Sequence, residues 1–170
     1  MDTQINFKET FSQAMTELVN NNYLKSIALL TDLLSEEPEH KLALTARGSA
    51  FLRQGNLTNA LADFDRAIEY DPTYSKAYHL RGIARIESGN DDGALEDFDR
   101  AIDLDPEYAA AYYSRASLHS KAGRSDAAGE DASMATQIGI RNVTSYANEN
   151  NLWQTHHFAV EDAMETELTR

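Results

Sequence analysis

Three prolines punctuate the 170-residue chain, Pro38, Pro72 and Pro106, and they stand 34 residues apart. Between them the chain nearly copies itself: ALADFDRAIEYDP at 60–72 against ALEDFDRAIDLDP at 94–106. Upstream, TARGSAFLRQGN (45–56) matches HLRGIARIESGN (79–90) and, more loosely, YSRASLHSKAGR (113–124). A fixed period of this size implies stacked copies of one supersecondary unit, no one of which buries its apolar face alone. The frames are 7–40, 41–74, 75–108 and 109–142; the first is degenerate, and Ile140 takes the proline place in the last.

Each frame reads as two helices. Ala (24) and Leu (17) far outnumber Ile (8) and Val (3), so strong helix formers dominate and strand formers are scarce. The first helix runs about 14 residues to Gly55, Gly89 or Gly123, residues suited to a helix C-terminus. The second starts near Leu57, Asp91 or Ser125, and Pro72 and Pro106 end it because the residue before a proline resists helical dihedrals. The fold class is therefore all-α.

Small residues recur where two helices must meet: Gly48, Gly82 and Ala116 in the first helices, Ala60, Ala94 and Ala128 in the second. Larger side chains there would hold the backbones apart. Phe51, Phe64 and Phe98 fill the space between layers. In the second frame the pattern is Leu44, Gly48, Phe51, Gly55, Ala60, Phe64, Ala67 and Pro72. In the third it is Tyr78, Gly82, Arg85, Gly89, Ala94, Phe98, Ala101 and Pro106. On these residues the chain resembles the tetratricopeptide repeat (TPR) family over about residues 7–142. The fourth frame keeps Tyr112, Ala116, Gly123, Ala128, Ala132 and Ala135; the first keeps Ala14, Tyr23, Leu30 and Pro38. The resemblance implies a right-handed superhelix of about four helix-turn-helix hairpins. Its concave face, lined by the first helices, would bind an extended peptide or a partner's helix.

Charge and composition limit the partners. Twenty-eight acids against fifteen bases give a formal charge of −13, which disfavours a nucleic-acid backbone or an anionic membrane surface. Without cysteine there are no disulfides or thiolate metal sites, and a cytoplasmic protein is expected. No nucleophile–base set, phosphate-cradling loop or zinc-hydrolase motif occurs, so neither enzymatic activity, a cofactor nor a metal is expected. His157 and Glu161 sit one helical turn apart but lack a third metal ligand nearby. The acidic run at 87–107 lacks the layout of a calcium loop and reads as a solvated face. Arg47, Arg81 and Arg115 recur at the period, each followed sixteen residues later by Asp63, Asp97 or Asp131. A repeated structural Arg–Asp pair, tying the two helices of one hairpin or adjoining repeats (Arg81 to Asp97, or failing that to Asp63), is the preferred reading over an anion-binding arginine row.

At 100° per residue, the face opposite the packing residues of each first helix falls on four places. They are Lys8, Ser12, Met15 and Val19; Leu42, Ala46, Ser49 and Arg53; Lys76, Leu80, Ile83 and Glu87; and Ala110, Ser114, Ser117 and Lys121, with His79 and Tyr113 beside them. The charged members sum to +3 in a chain of −13. Apolar residues on such a face suggest a peptide or protein ligand, a second copy of the chain, or its own tail. Some TPR proteins clamp the acidic C-terminus of cytosolic chaperones with Lys, Asn and Arg at set places. The matching places here are Phe11, Met15, Ala46, Lys76 and Leu80, and only Lys76 agrees. That role is not expected.

Past Gly139 the repeat pattern is lost, yet 144–168 retains an amphipathic stripe: Tyr146, Asn150, Trp153, His157, Val160, Met164 and Leu168. The expected organisation is an array over 1–142 and a helix over 143–170 that caps the last hairpin, docks in the groove or pairs with another subunit. The expected function is a non-enzymatic interaction module or adaptor. A self-assembling structural protein and a small secretion-type chaperone are the alternatives.

Overall fold

The structure is a computed structural model that describes residues 6–149. Within them the chain forms eight helices: α1 (Phe7–Val19), α2 (Tyr23–Glu36), α3 (Lys41–Arg53), α4 (Leu57–Tyr70), α5 (Ser75–Glu87), α6 (Asp91–Leu104), α7 (Ala109–Lys121) and α8 (Ser125–Glu149). Among the described residues there is no strand. The 34-residue frames correspond to the pairs α1–α2, α3–α4, α5–α6 and α7–α8.

The hairpin turns repeat as closely as the helices. Gly55, Gly89 and Gly123 all take left-handed backbone angles, φ +76°, +81° and +73°. Glycine adopts that region without a Cβ penalty, and it lets the chain reverse in two residues. The degenerate first hairpin uses Asn21, φ +62°, at the same place in the period; asparagine is among the few side chains that tolerate this region. Asn56 and Asn90 then cap α4 and α6, each side chain accepting from the backbone N–H three residues on, at 3.3 and 3.0 Å.

Inside the second and third hairpins, a Cβ built on Gly48 would stand 2.6 Å from Phe64 Cε1, and one on Gly82 would stand 2.5 Å from Phe98 Cε1. The phenyl rings lie against bare backbone and are fully buried. The first hairpin puts Ala14 and Leu30 at those two places, and the Ser26 hydroxyl donates across to the Ala14 carbonyl at 2.9 Å.

Each helix packs on its chain neighbours, and α1, α3, α5 and α7 also touch one another in sequence. Among the described residues the even-numbered helices make no comparable contacts with each other. The odd helices therefore form the tighter inner layer, and the stack curves towards them. Arginines tie the joints. Arg81 donates from Nε and Nη2 to Asp97 at 3.0 and 2.6 Å, within its own hairpin, and from Nη1 to Asp65 of the preceding hairpin at 2.8 Å. Arg115 does the same with Asp131 and Asp99. Arg47 holds Asp63 and reaches back to the Thr31 hydroxyl at 3.1 Å. The expected Arg–Asp pairs are thus present. The partner in the preceding repeat is Asp65, not the expected alternative Asp63, and it is engaged together with Asp97; the second aspartate of DFDR at 63–66 and 97–100 is its signal in the sequence.

The C-terminal boundary differs from the expected one. Helix α8 runs without a break through position 142 to Glu149, whereas α4 and α6 stop after 14 residues. No proline follows the fourth frame, so nothing in the backbone stops the helix where the others end. The stripe from Asn150 to Leu168 and the His157–Glu161 pair lie outside the described residues.

Two stability outcomes follow from these contacts. Gly82→Ala should lower stability by about 1–3 kcal/mol through overpacking against Phe98, read as a lower melting temperature, with Gly82→Leu lower still. Arg81→Met should cost about 1.5–3 kcal/mol, because Asp97, 2 % exposed, loses both of its Arg81 bonds and keeps only Arg85 Nη1 at 3.0 Å. The double variant Arg81→Met with Asp97→Leu should recover a large part of that loss in a urea titration.

Candidate functional site

The inner layer presents two adjoining hollows. One, of about 210 Å³, lies between α1, α3 and α5 and is lined by Phe11, Met15, Leu18, Leu42, Thr45, Ala46, Ser49, Tyr74, Lys76 and Leu80. The other, of about 550 Å³, lies between α3 and α5 and is lined by Ser49, Leu52, Arg53, Gly55, Leu80, Ile83 and Glu87. Ser49 and Leu80 belong to both, so the two form one trough. Its floor is largely apolar, and Leu42 is 43 % exposed there.

Of the sequence-derived residues, the structure brings together Met15, Leu42, Ser49, Arg53, Lys76, Leu80 and Ile83. It does not bring the other five to that trough. Lys8 borders a separate hollow at the outer edge of α1, with Asn6, Glu9, Ser12, Gln13 and Thr16. Tyr113 and Ser117 line a third hollow within the fourth hairpin, with Ala116, Ser120, Ala128, Gly129 and Ala132. Lys121 is exposed but donates to Asp91 on α6 at 2.7 Å. Sequence reasoning missed Phe11, Leu18, Thr45, Leu52 and Tyr74 as trough residues. A hollow between two helices is walled by positions flanking each face centre, and a face-centre count selects only the middle ones.

His79 is a correction. Expected beside the groove, it is instead 7 % exposed, wedged between the third and fourth hairpins. Its Nε2 lies 2.9 Å from the Ser114 hydroxyl and its Nδ1 lies 3.0 Å from the Tyr108 hydroxyl. Its ring packs edge-on against Tyr108 and tilted against Phe98. The helical angle places it within one residue of the exposed face, and the approach of α7 covers it. Burial, aided by the nearby Lys76 charge, pushes its pKa down to about 4.

Charge is divided unevenly. Among the described residues, Lys8, Arg53, Arg66, Lys76, Arg100 and Arg124 form no ion pair, whereas Lys25, Lys41 and Lys121 are each paired with a carboxylate; of the unpaired ones, Arg53 and Lys76 line the trough. The Lys41 ammonium beside Asp71 holds that carboxyl down to about 2. Two unpaired cations thus border the apolar trough, while Asp92, Glu96, Asp99, Asp103 and Glu107 are exposed on and just beyond α6. Among the described residues no group of three or more potential ligands is arranged to hold a metal ion, and no helix is long and apolar enough to cross a membrane.

His79 makes stability depend on pH. Its ordinary pKa is 6.5 and its folded one is about 4. Between those values the unfolded chain takes up the proton and the folded chain does not, so stability falls as pH drops through that window. The loss should reach on the order of 3 kcal/mol by pH 4. His79→Gln should flatten the fall in urea midpoints measured from pH 7 to 4, relative to wild type.

Comparison with known proteins agrees with this architecture. One family model, Tetratricopeptide repeat, matches residues 11–75, and a second, TPR repeat, matches residues 82–123. No curated protein sequence matches the chain. Among solved structures, the crystal structure of MamA superposes with a TM-score of 0.71 at 21 % identity, covering 82 % of this chain and 81 % of that one. TTC0263, a thermophilic TPR protein in Thermus thermophilus, gives 0.72 at 19 %, covering 77 % and 73 %. The first TPR of Spaghetti (RPAP3), bound to the HSP90 peptide SRMEEVD, gives 0.63 at 23 %, covering 67 % and 90 %. At such identities the likeness is one of fold. Together the two family matches span more than half of the chain, and with its four hairpins, left-handed turns and glycine–phenylalanine contacts this all-α superhelix belongs to the tetratricopeptide repeat family.

Proposed function

We propose that this chain is a non-enzymatic protein–protein interaction module that binds a peptide segment of a partner in the trough between α1, α3 and α5. The observation that carries this reading is the pairing of exposed apolar surface with unpaired cations. Leu42, Leu80 and Ile83 offer anchors, and Arg53 and Lys76 are the only charged side chains besides Glu87 along the same lining. In a chain of −13 this edge sets two unpaired cations against one carboxylate, Glu87, and so favours an acidic group locally. The favoured ligand is therefore a short segment, extended or helical, with apolar side chains and a neutral-to-acidic charge. A cytoplasmic setting belongs to the same reading.

The RPAP3 domain bound to an HSP90 peptide supports this choice, because a related stack of hairpins there takes up a short segment rich in carboxylates. The chaperone C-terminus itself is not proposed as this chain's ligand. Only Lys76 stands at a clamp place; Phe11, Met15, Ala46 and Leu80 occupy the others.

Lys76→Glu combined with Ile83→Asp should abolish capture of the partners that the wild type retains on an affinity column, read by mass spectrometry, with the helical circular dichroism unchanged. Capture should weaken as salt rises, since screening acts over about 8 Å at physiological ionic strength. Truncating one anchor, such as Leu80→Ala, should cost about 1–2 kcal/mol of affinity. Undiminished capture by the double variant would remove the trough as the site.

A further inference from the structure

The trough has an occupant of fitting chemistry within the chain itself. Residues 150–170 hold four carboxylates within seven positions, Glu161, Asp162, Glu165 and Glu167, and their only Lys or Arg is Arg170. Interleaved with them stand Trp153, Phe158, Val160, Met164 and Leu168. This is the acidic and apolar composition that the trough's Leu42, Leu80, Ile83, Arg53 and Lys76 would select. We infer that the segment 150–170 docks in cis along the trough between α1, α3 and α5, its carboxylates facing Arg53 and Lys76, and competes with outside ligands. The inference rests on the trough reading above and adds regulation of that same site.

Reach and tethering favour this occupant. Helix α8 carries the chain eleven residues past the length of α4 and α6, about 16 Å at 1.5 Å per residue. The 21 residues after Glu149 can span up to about 70 Å when extended. The trough lies two inner helices away from α7, roughly 20 Å at 8–10 Å per packed pair. An outside acidic peptide must approach a molecule of net charge −13. A tethered one starts from an effective concentration in the millimolar range, so modest contacts suffice.

The competing berth for this segment is the hollow of the fourth hairpin, and its chemistry fits less well. Ser117, Ser120, Gly129 and Ala132 stand there at the places that Ile83, Ile86, Leu95 and Phe98 occupy one repeat earlier. Tyr113 is its one large side chain, and no cation lines it. The exposed Asp126 and Glu130 lie on the same helix as its far wall, where they repel an acidic segment.

Trp153 is the chain's single tryptophan, so the emission of the full-length protein reports on this segment alone. In wild type the emission should be blue-shifted and protected from acrylamide, independent of protein concentration. Arg53→Glu with Lys76→Glu should shift it to the red and raise the quenching constant several-fold. Glu161→Lys with Asp162→Lys and Glu165→Lys should do the same from the other side, and combining both sets should restore protection. The tail-side set alters no described residue, so it reads the contact even if the trough set perturbs the array. Red-shifted wild-type emission, or protection that survives both reversals, would overturn the inference. Protection lost on dilution would do so too, by assigning the segment to a second copy. Loss of partner capture in the Arg53→Glu, Lys76→Glu variant with Trp153 unmoved would leave the binding reading intact and sink only the docking of the tail. Release of Trp153 with capture undiminished would do the reverse.

Discussion

The spacing of two helix backbones within one hairpin governs the rest of this molecule, and the absent side chains of Gly48 and Gly82 set that spacing. With no Cβ at those places, Phe64 and Phe98 press their rings against the facing backbone, leaving no solvent-accessible surface. Each buried ring contributes about 1.5–3 kcal/mol through removal of apolar area from water. The same closeness lets Ala60 and Ala94 bury completely on the opposite helix. Where the fourth hairpin substitutes Ala116 and Ala132, the interior is less filled, and a hollow opens beside Tyr113.

Close hairpins need alignment with one another, and arginine supplies it. Arg81 and Arg115 each reach sixteen residues forward within their own hairpin and sixteen back into the previous one. A planar guanidinium holds both carboxylates in set directions, which a lysine ammonium does not. The forward aspartates are buried and the backward ones exposed. The forward pair therefore fixes the hairpin and the backward bond fixes the register between repeats. His79 adds a neutral hydrogen-bonded link at the third joint, which makes that joint sensitive to acid while the arginine joints stay charged.

The division of charge follows from this scaffold. Inner helices α3, α5 and α7 carry Lys and Arg with Glu87 as their one carboxylate, whereas outer helices α4 and α6 carry many of the acids, several of them exposed. Arg53 and Lys76 border the trough without an ion-pair partner. The trough edge is thus locally cationic in a molecule whose net charge is −13.

The 34-residue period, the helix ends at Gly55, Gly89 and Pro72, the close approach at Gly82 and the pairing of Arg81 with Asp97 were all legible in the sequence. Each is a local or strictly periodic requirement, so one copy of the repeat explains the others. The family followed from the same residues. Four things needed the tertiary structure. Asn21 takes the left-handed turn place that glycine holds in the other three frames. Asp65 and Asp99 bond backward because hairpin stacking, which no single repeat encodes, brings them to the next arginine. His79 is buried because α7 covers a residue whose helical angle places it near the open face. The trough gathers seven of the twelve expected residues and leaves Lys8, Tyr113, Ser117 and Lys121 elsewhere, because a hollow is bounded by two helices at once and the angle on one helix says nothing of its neighbour's position. Sequence periodicity sets which side of each helix faces inward; only the packing of neighbouring helices decides which inward residues meet.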